Sequence, residues 1–180
     1  AWPEVTFLDW LTLKADWEQA YNPSIWSRVK GRLFPQKEPL ISAPVLDIPE
    51  ALQSQWQNAS ILYRPLPTWM YSSLVHHIDT SGSYDLLQND LHATLSILPV
   101  NASLKLSTVH ICHELKHKRF ELAAQAAQIT GPVILEAISA LRSRELELLS
   151  RYDQVVTFTS EDKEAISSVK GIKVRLSPFP

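Results

Sequence analysis

The amino-acid sequence predicts an α/β fold with an open, mostly parallel sheet and helices on both faces. Short apolar segments alternate with helical stretches over the second half of the chain, which is the pattern of β–α–β units. Two of the apolar segments, residues 84–88 and 104–113, end in polar side chains. Open α/β sheets bind ligands at the carboxyl ends of their strands, so the same pattern indicates where a site should lie.

Composition limits the classes of function. The 180 residues suffice for one sizeable core, and we interpret residues 1–180 as a single domain. The net charge of −2 and the lack of an extended basic segment provide no attraction for nucleic acid. The single cysteine, Cys112, excludes an intrachain disulfide and a metal site built from thiolates alone. No apolar segment reaches the roughly 20 residues that span a bilayer, and no signal peptide is recognisable, so we expect a cytoplasmic protein.

The first half of the chain contains short elements separated by prolines and glycines. The order predicted from apolar spacing and breaker residues is a strand at 5–8, one or two helices within 11–33, an ordered proline-rich surface segment at 35–49, a strand at 60–63 and a helix at 69–78.

The second half has the clearer alternation. It predicts strands at 84–88, 104–113, 153–159 and 172–176, with helices over 114–149 that break once at 130–132. Leu135, Ile138, Leu141, Leu146 and Leu149 form the predicted buried stripe of the second of these helices. A further short helix follows from 160 to 169, with Ser160 as its N-cap and acidic residues in its first turn.

Four segments of this half together resemble a known family. They are Tyr84–Gln88, Thr108–Leu115, Glu145–Asp162 and Val174–Pro180. Their order and spacing resemble the N-terminal, acceptor-side domain of retaining GT-B glycosyltransferases, of the large bacterial family that builds polysaccharides and glycolipids. The resemblance implies a Rossmann-like domain that forms one half of a GT-B architecture. It also implies that the chain is truncated at both ends and that the donor-binding C-terminal domain is absent.

The resemblance implies an activity as well. The expected reaction transfers a sugar from a nucleotide-sugar donor to a saccharide or lipid-linked acceptor, with the acceptor held by this domain. Such a transfer needs a positioned hydroxyl, stabilisation of the departing diphosphate and exclusion of water. It requires no metal and no cofactor beyond the donor substrate. The missing donor domain is the expected partner, and the inner face of the membrane is an expected location.

Two histidines at the end of the 104–113 segment are the candidate catalytic residues. His110 and His113 compete for the role of hydrogen-bonding the donor sugar or the acceptor hydroxyl, and the sequence does not choose between them. Each is equally explained as an ordinary polar residue at a strand end. A metal cluster of His110, His113, Glu114 and His117 is a weaker alternative, because no supporting motif accompanies it.

Six further residues are candidates for substrate binding. They are Asn89, Asp90, Glu114, Arg119, Ser160 and Glu161. Strand-end capping explains the first two equally well, and helix capping explains the last two without any ligand. The basic stretch 116–119, with aromatic residues near Trp69, offers peripheral contact with an anionic membrane or lipid-linked acceptor.

Two other classes of protein remain as alternatives. One is a non-catalytic binding or interaction module that keeps the Rossmann-like sheet without the cleft chemistry. The other is a response-regulator-like or flavodoxin-type domain, which the proline-rich segment and the lack of an acidic cluster after the first strand disfavour.

Overall fold

Four parallel strands form the sheet in this computed structural model, which describes residues 41–64, 66, 68–81, 84–90, 92–98, 104–169 and 171–177. The strands are β1 (Leu86–Asn89), β2 (Ser107–Cys112), β3 (Gln154–Thr157) and β4 (Val174–Leu176). They lie side by side in the order β1–β2–β3–β4, and every neighbouring pair is parallel. Helices flank the sheet, so the α/β class predicted from the sequence is confirmed.

The described residues form five α-helices and two 3₁₀ helices. The α-helices are α1 (Glu50–Ala59), α2 (Thr68–Ser81), α3 (Lys116–Ala126), α4 (Pro132–Leu149) and α5 (Ser160–Ser167). The first 3₁₀ helix is Ser60–Tyr63 and the second is His92–Ile97. The predictions of helices within 69–78, 114–149 and 160–169 are therefore confirmed, whereas α1 was not predicted.

Helix α4 supplies much of the core. It begins where Gly131 adopts φ 137°, a conformation suited to glycine, and Pro132 then occupies the first turn without losing a backbone hydrogen bond. Leu141, Leu148 and Leu149 are fully buried. Each contributes roughly 1.5–3 kcal/mol of hydrophobic stabilisation. The predicted stripe was wrong at Leu135, which is 68% exposed, because the buried face runs through Ile134 and Ala137 instead.

The flanking helices also contact one another. Trp56 of α1 meets Phe120 of α3 edge to face, with ring centroids 5.7 Å apart. Edge-to-face geometry is favoured because the positive ring edge faces the negative ring face. This contact fixes α1 beside the start of α3, where residues from both helices meet a cavity.

The predicted cap of α5 was wrong by one position. The Oγ1 of Thr159, not of Ser160, accepts a hydrogen bond from the backbone N–H of Asp162, at 3.1 Å. Thr159 has extended backbone angles, which an N-cap requires, and Ser160 is already within the helix. Glu161 and Asp162 occupy the first turn, where their charges complement the helix dipole.

The predicted strand at 60–63 was also wrong. The segment continues from α1 as a 3₁₀ helix, and the hydroxyl of Ser60 donates to the carbonyl of Gln57 at 3.0 Å, a local bond that accompanies helical backbone. Leu62 is buried in this conformation. Helical packing thus buries the centre of this apolar segment, and it overrides the strand propensity of the neighbouring residues.

Some predictions concern residues outside the described part of the chain. The strand at 5–8 and the helices within 11–33 lie there, as do residues 35–40 of the proline-rich segment. Residues 41–49, which are described, contain neither helix nor strand, as predicted.

A side-chain clamp joins the starts of β2 and β3. Asp153 Oδ2 accepts from the backbone N–H of Thr108 at 2.8 Å and from its hydroxyl at 3.0 Å. The Thr108 hydroxyl oxygen in turn accepts from the backbone N–H of Asp153 at 3.0 Å. The amino ends of the two inner strands are therefore fixed by three reciprocal bonds.

None of the helices described here combines the length and the apolar character that crossing a membrane requires.

Candidate functional site at the carboxyl edge of the sheet

A cavity of about 540 Å³ lies where the carboxyl ends of β1 and β2 meet α1 and α3. Parallel strands end at one edge, so the segments after β1 and β2 come together there. Ile61 and Ala93 are the apolar residues among its described lining. The other lining residues are polar or charged: Gln57, Asn58, Arg64, Asp90, His92, His113, Glu114 and Lys116. We refer to this cavity as the edge pocket.

Glu114 is the pocket carboxylate with the most basic neighbours. Its Oε1 lies 2.5 Å from Lys116 Nζ, and Arg119 Nη1 reaches Oε1 at 2.9 Å and Oε2 at 3.1 Å. Partial burial acts to raise the pKa of Glu114, but the hydrogen bonds from Lys116 and Arg119 outweigh it and hold the pKa below its ordinary value. Glu114 is therefore an ionised hydrogen-bond acceptor at neutral pH.

The two candidate histidines occupy different environments. His113 is exposed, lines the edge pocket, and packs against Phe158 with ring centroids 5.3 Å apart. His110 is 0% exposed and lies in β2, beside the rings of His92 and Tyr152. Burial and the neighbouring His92 lower the pKa of His110 to about 3, so its ring is neutral at neutral pH. Of the pair, only His113 faces the edge pocket.

Asn89 and Asp90 also lie in different environments. Asn89 is buried, and its amide nitrogen donates to Thr94 O at 3.0 Å and to Tyr152 Oη at 2.5 Å, while its Oδ1 accepts from the Thr94 hydroxyl at 2.9 Å. These bonds fasten the end of β1 to the second 3₁₀ helix. Asp90 is exposed, lines the pocket, and accepts from the Gln88 amide at 3.0 Å.

The remaining candidates lie away from the pocket lining. Arg119 is an exposed neighbour that acts on the pocket through Glu114. Ser160 and Glu161 are exposed at the start of α5, where the Ser160 hydroxyl donates to Glu161 at 3.2 Å. Lys118 reaches the same turn, donating to the Glu161 carbonyl at 2.8 Å.

The charged side chains of the basic stretch 116–119 form ion pairs with acidic residues of the same chain. Lys116 and Arg119 pair with Glu114, and Lys118 pairs with Asp162 at 3.1 Å. His117 is buried. The contact with an anionic membrane surface that the sequence suggested stays a prediction, and these ion pairs lower the charge available for it.

Glu145 connects the pocket to the core. Although it is fully buried on α4, it accepts from the backbone N–H of Lys116 at 2.8 Å and of His117 at 3.2 Å. Its Oε2 also lies 2.7 Å from His117 Nδ1. Burial acts to raise the pKa of Glu145, but the hydrogen bonds from His117 and the Lys116 backbone, together with the nearby His92 ring, outweigh it and lower the pKa well below its usual value. Glu145 thereby caps the first turn of α3 from another helix.

A second polar cluster lies beneath the edge pocket. Strand alternation directs His110 and Cys112 to the same face of β2, and the second 3₁₀ helix places His92 beside them. Their ligand atoms all lie within 4.8 Å of one another. This set differs from the alternative suggested by the sequence, because His113 points elsewhere and His117 is held by Glu145.

Comparison of the chain with protein-family models, curated proteins and solved structures finds no match.

Sequence reasoning missed several pocket residues. His92 follows the polar end of β1 by three positions, so the cluster of polar residues after that strand was the signal that could have found it. Gln57 and Asn58 come from α1, and Arg64 follows the first 3₁₀ helix, so all three lie outside the strand that the sequence predicted at 60–63. No local motif in that region indicates that it reaches the edge of the sheet.

Proposed function

We propose that this chain is the acceptor-side domain of a GT-B glycosyltransferase and that the edge pocket holds the acceptor of the transferred sugar. The observation that carries the proposal is the chemistry of the pocket, whose described lining is mostly hydrogen-bonding side chains. Carboxylates and amide oxygens accept from hydroxyl groups, and amide, imidazole and ammonium nitrogens donate to them. A polyhydroxylated ligand satisfies such a lining far better than an apolar ligand does.

Position in the fold supports the same proposal. The pocket lies at the carboxyl edge of a parallel sheet, the usual ligand site in open α/β folds. Each of the four parallel strands overlaps one of the four segments through which the sequence resembles the glycosyltransferase family. The donor nucleotide-sugar would then approach from the second domain that this architecture implies.

Each pocket residue has a role in the proposed reaction. His113 is exposed at the pocket and hydrogen-bonds the acceptor hydroxyl or the donor sugar, while Phe158 fixes its ring. Asp90 accepts from acceptor hydroxyl groups. Glu114, which Lys116 and Arg119 keep ionised, does the same from the carboxyl end of the neighbouring strand. We assign the catalytic role to His113 rather than His110, because His110 is fully buried.

The experiment measures donor hydrolysis and transfer by the full-length protein with a panel of UDP- and GDP-sugars and saccharide acceptors. His113→Ala should lower kcat/KM roughly 100-fold or more, the range found when a hydrogen bond to the reacting groups is removed. Asp90→Asn should raise KM for the acceptor with a smaller effect on kcat.

His76→Ala is the matched control, because His76 is an exposed histidine on α2 outside the pocket lining. It should stay within about twofold of the unmodified protein, as surface substitutions usually do. Failure of every donor to bind or turn over would refute the transferase proposal and favour the non-catalytic binding module. Equal losses in His113→Ala and His76→Ala would refute the assignment of the pocket.

A further inference from the structure

The cluster of His92, His110 and Cys112 lies outside the chemistry proposed above. Two of its members are two positions apart on β2, and the third comes from the second 3₁₀ helix. His110 and Cys112 are fully buried, and the side chain of His92 is 9% exposed. A buried set of two imidazoles and one thiol therefore converges from two separate elements.

His110 is the unusual member of the set. Neither of its ring nitrogens makes a well-formed hydrogen bond with any residue of the described part of the chain. An unsatisfied buried polar group costs about 1–3 kcal/mol, so buried polar atoms almost always have partners. A buried imidazole that makes no well-formed hydrogen bond can bind a metal ion through a ring nitrogen.

We propose that His92, His110 and Cys112 bind a single zinc ion. Two nitrogen ligands and one sulfur ligand suit the borderline-soft character of Zn²⁺. Mg²⁺ and Ca²⁺ prefer oxygen ligands such as carboxylates, so this ligand set does not suit them. Zinc holds such ligands at about 2.0–2.3 Å, so side-chain movements on the order of 1 Å would close the observed set around an ion. The ligand atoms lie within 4.8 Å of one another, close enough for movements of that size to bring them to one ion.

Glu145 is a positioning residue for this site. Its Oε1 lies 3.4 Å from His92 Nε2, and a carboxylate beside a histidine ligand commonly fixes the orientation of the ring. Cys112 Sγ now lies 3.4 Å from the Glu114 carbonyl, to which the thiol donates. On binding zinc, the thiol proton passes to solvent, the thiolate bonds to the ion, and this weak hydrogen bond is lost.

The site would adjoin the edge pocket, because His92 belongs to both. Three protein ligands leave one position of a tetrahedral ion for water or for a ligand atom from the pocket. The zinc proposal does not rest on the transferase proposal: it concerns binding of the ion alone, and each can fail while the other holds.

The test adds Co²⁺ to untagged, metal-free protein and records the absorption spectrum, since cobalt substitutes for zinc and a thiolate ligand gives a charge-transfer band. The chain has a single cysteine, so such a band can come only from Cys112. We expect the band to saturate at one Co²⁺ per chain and to disappear when Zn²⁺ displaces the cobalt. Absence of the band would overturn the proposal without any variant being needed.

Two variants assign the ligands. Cys112→Ser should abolish the band and weaken Zn²⁺ binding on the order of 100-fold, and His92→Ala should weaken it comparably. His76→Ala, which removes an exposed histidine from α2, should leave Zn²⁺ affinity within about twofold. Unchanged Zn²⁺ affinity in both cluster variants, or an equal loss in His76→Ala, would show that the ion binds elsewhere and overturn the proposal.

Discussion

Oε2 of Glu145 and Nδ1 of His117 lie 2.7 Å apart inside the core, and this contact joins the C-terminal part of α4 to the first turn of α3. The same carboxylate accepts two backbone N–H groups of that turn. A helix start has backbone donors without partners, and here a distant side chain satisfies them.

Replacing this carboxylate should therefore destabilise the fold. We expect Glu145→Ala to lower the free energy of unfolding by about 3–5 kcal/mol, because it leaves buried donors without an acceptor. Glu136→Ala is the matched control, as Glu136 is exposed on the same helix, and it should change stability by less than about 0.5 kcal/mol. Urea denaturation measures both, and similar values for the two variants would contradict the capping role.

The clamp between Asp153 and Thr108 gives a second prediction. Asp153→Ala removes the acceptor of both the backbone N–H and the hydroxyl of Thr108, which is buried. The expected loss is about 1–3 kcal/mol in the free energy of unfolding, the cost of leaving buried polar groups unsatisfied. Asp85→Ala, which replaces an exposed aspartate before β1, should leave the free energy of unfolding nearly unchanged in the same urea titration. An Asp153→Ala variant with unchanged free energy of unfolding would show that water replaces the hydrogen bonds of the clamp.

The third prediction concerns the support of the second 3₁₀ helix. The Tyr152 hydroxyl accepts from the Asn89 amide and donates to the Leu95 carbonyl at 3.1 Å. Tyr152→Phe should lower stability by about 1–2 kcal/mol and speed amide hydrogen exchange within residues 92–97. Tyr84→Phe, whose hydroxyl contacts His77 on α2, should leave exchange in that segment unchanged. Equal amide hydrogen exchange within residues 92–97 in the two variants would show that the Tyr152 hydroxyl does not support the second 3₁₀ helix.

The fourth prediction separates the two histidines by stability. In metal-free protein, His110→Ala should cost about 2–4 kcal/mol, since it opens a cavity between the rings of His92 and Tyr152. His113→Ala should cost less than about 1 kcal/mol, because His113 is exposed and loses mainly its contact with Phe158. Thermal unfolding of both variants checks the difference, and the reverse order would place His113 in the structural role.

Much of the sheet could be predicted because its signals are local. The segments before Asn89 and Cys112 are short apolar runs that end in polar residues, and the structure has strands at both. The strand predicted at 60–63 failed because apolar and aromatic residues fit a buried helical turn equally well. Only tertiary packing decides between the two.

The site could be predicted in part for the same reason. Asp90 and His113 follow strands of one parallel sheet, so topology alone brings them to one edge. The positions of Arg64 and Glu145 depend on how helices dock against that edge, and no periodicity in the sequence records it. Burial of His110 likewise follows from the second 3₁₀ helix, which covers β2.

The strands lie next to one another in the order in which they occur along the chain. During synthesis, each strand can therefore join an edge that the preceding segment has just formed, without waiting for a distant partner. Lys116 is the last residue of the edge-pocket lining along the chain. Glu145, which caps the start of α3, is synthesised 29 residues later. We therefore expect the lining residues of the edge pocket to be synthesised first and the pocket to become rigid only after α4 has docked.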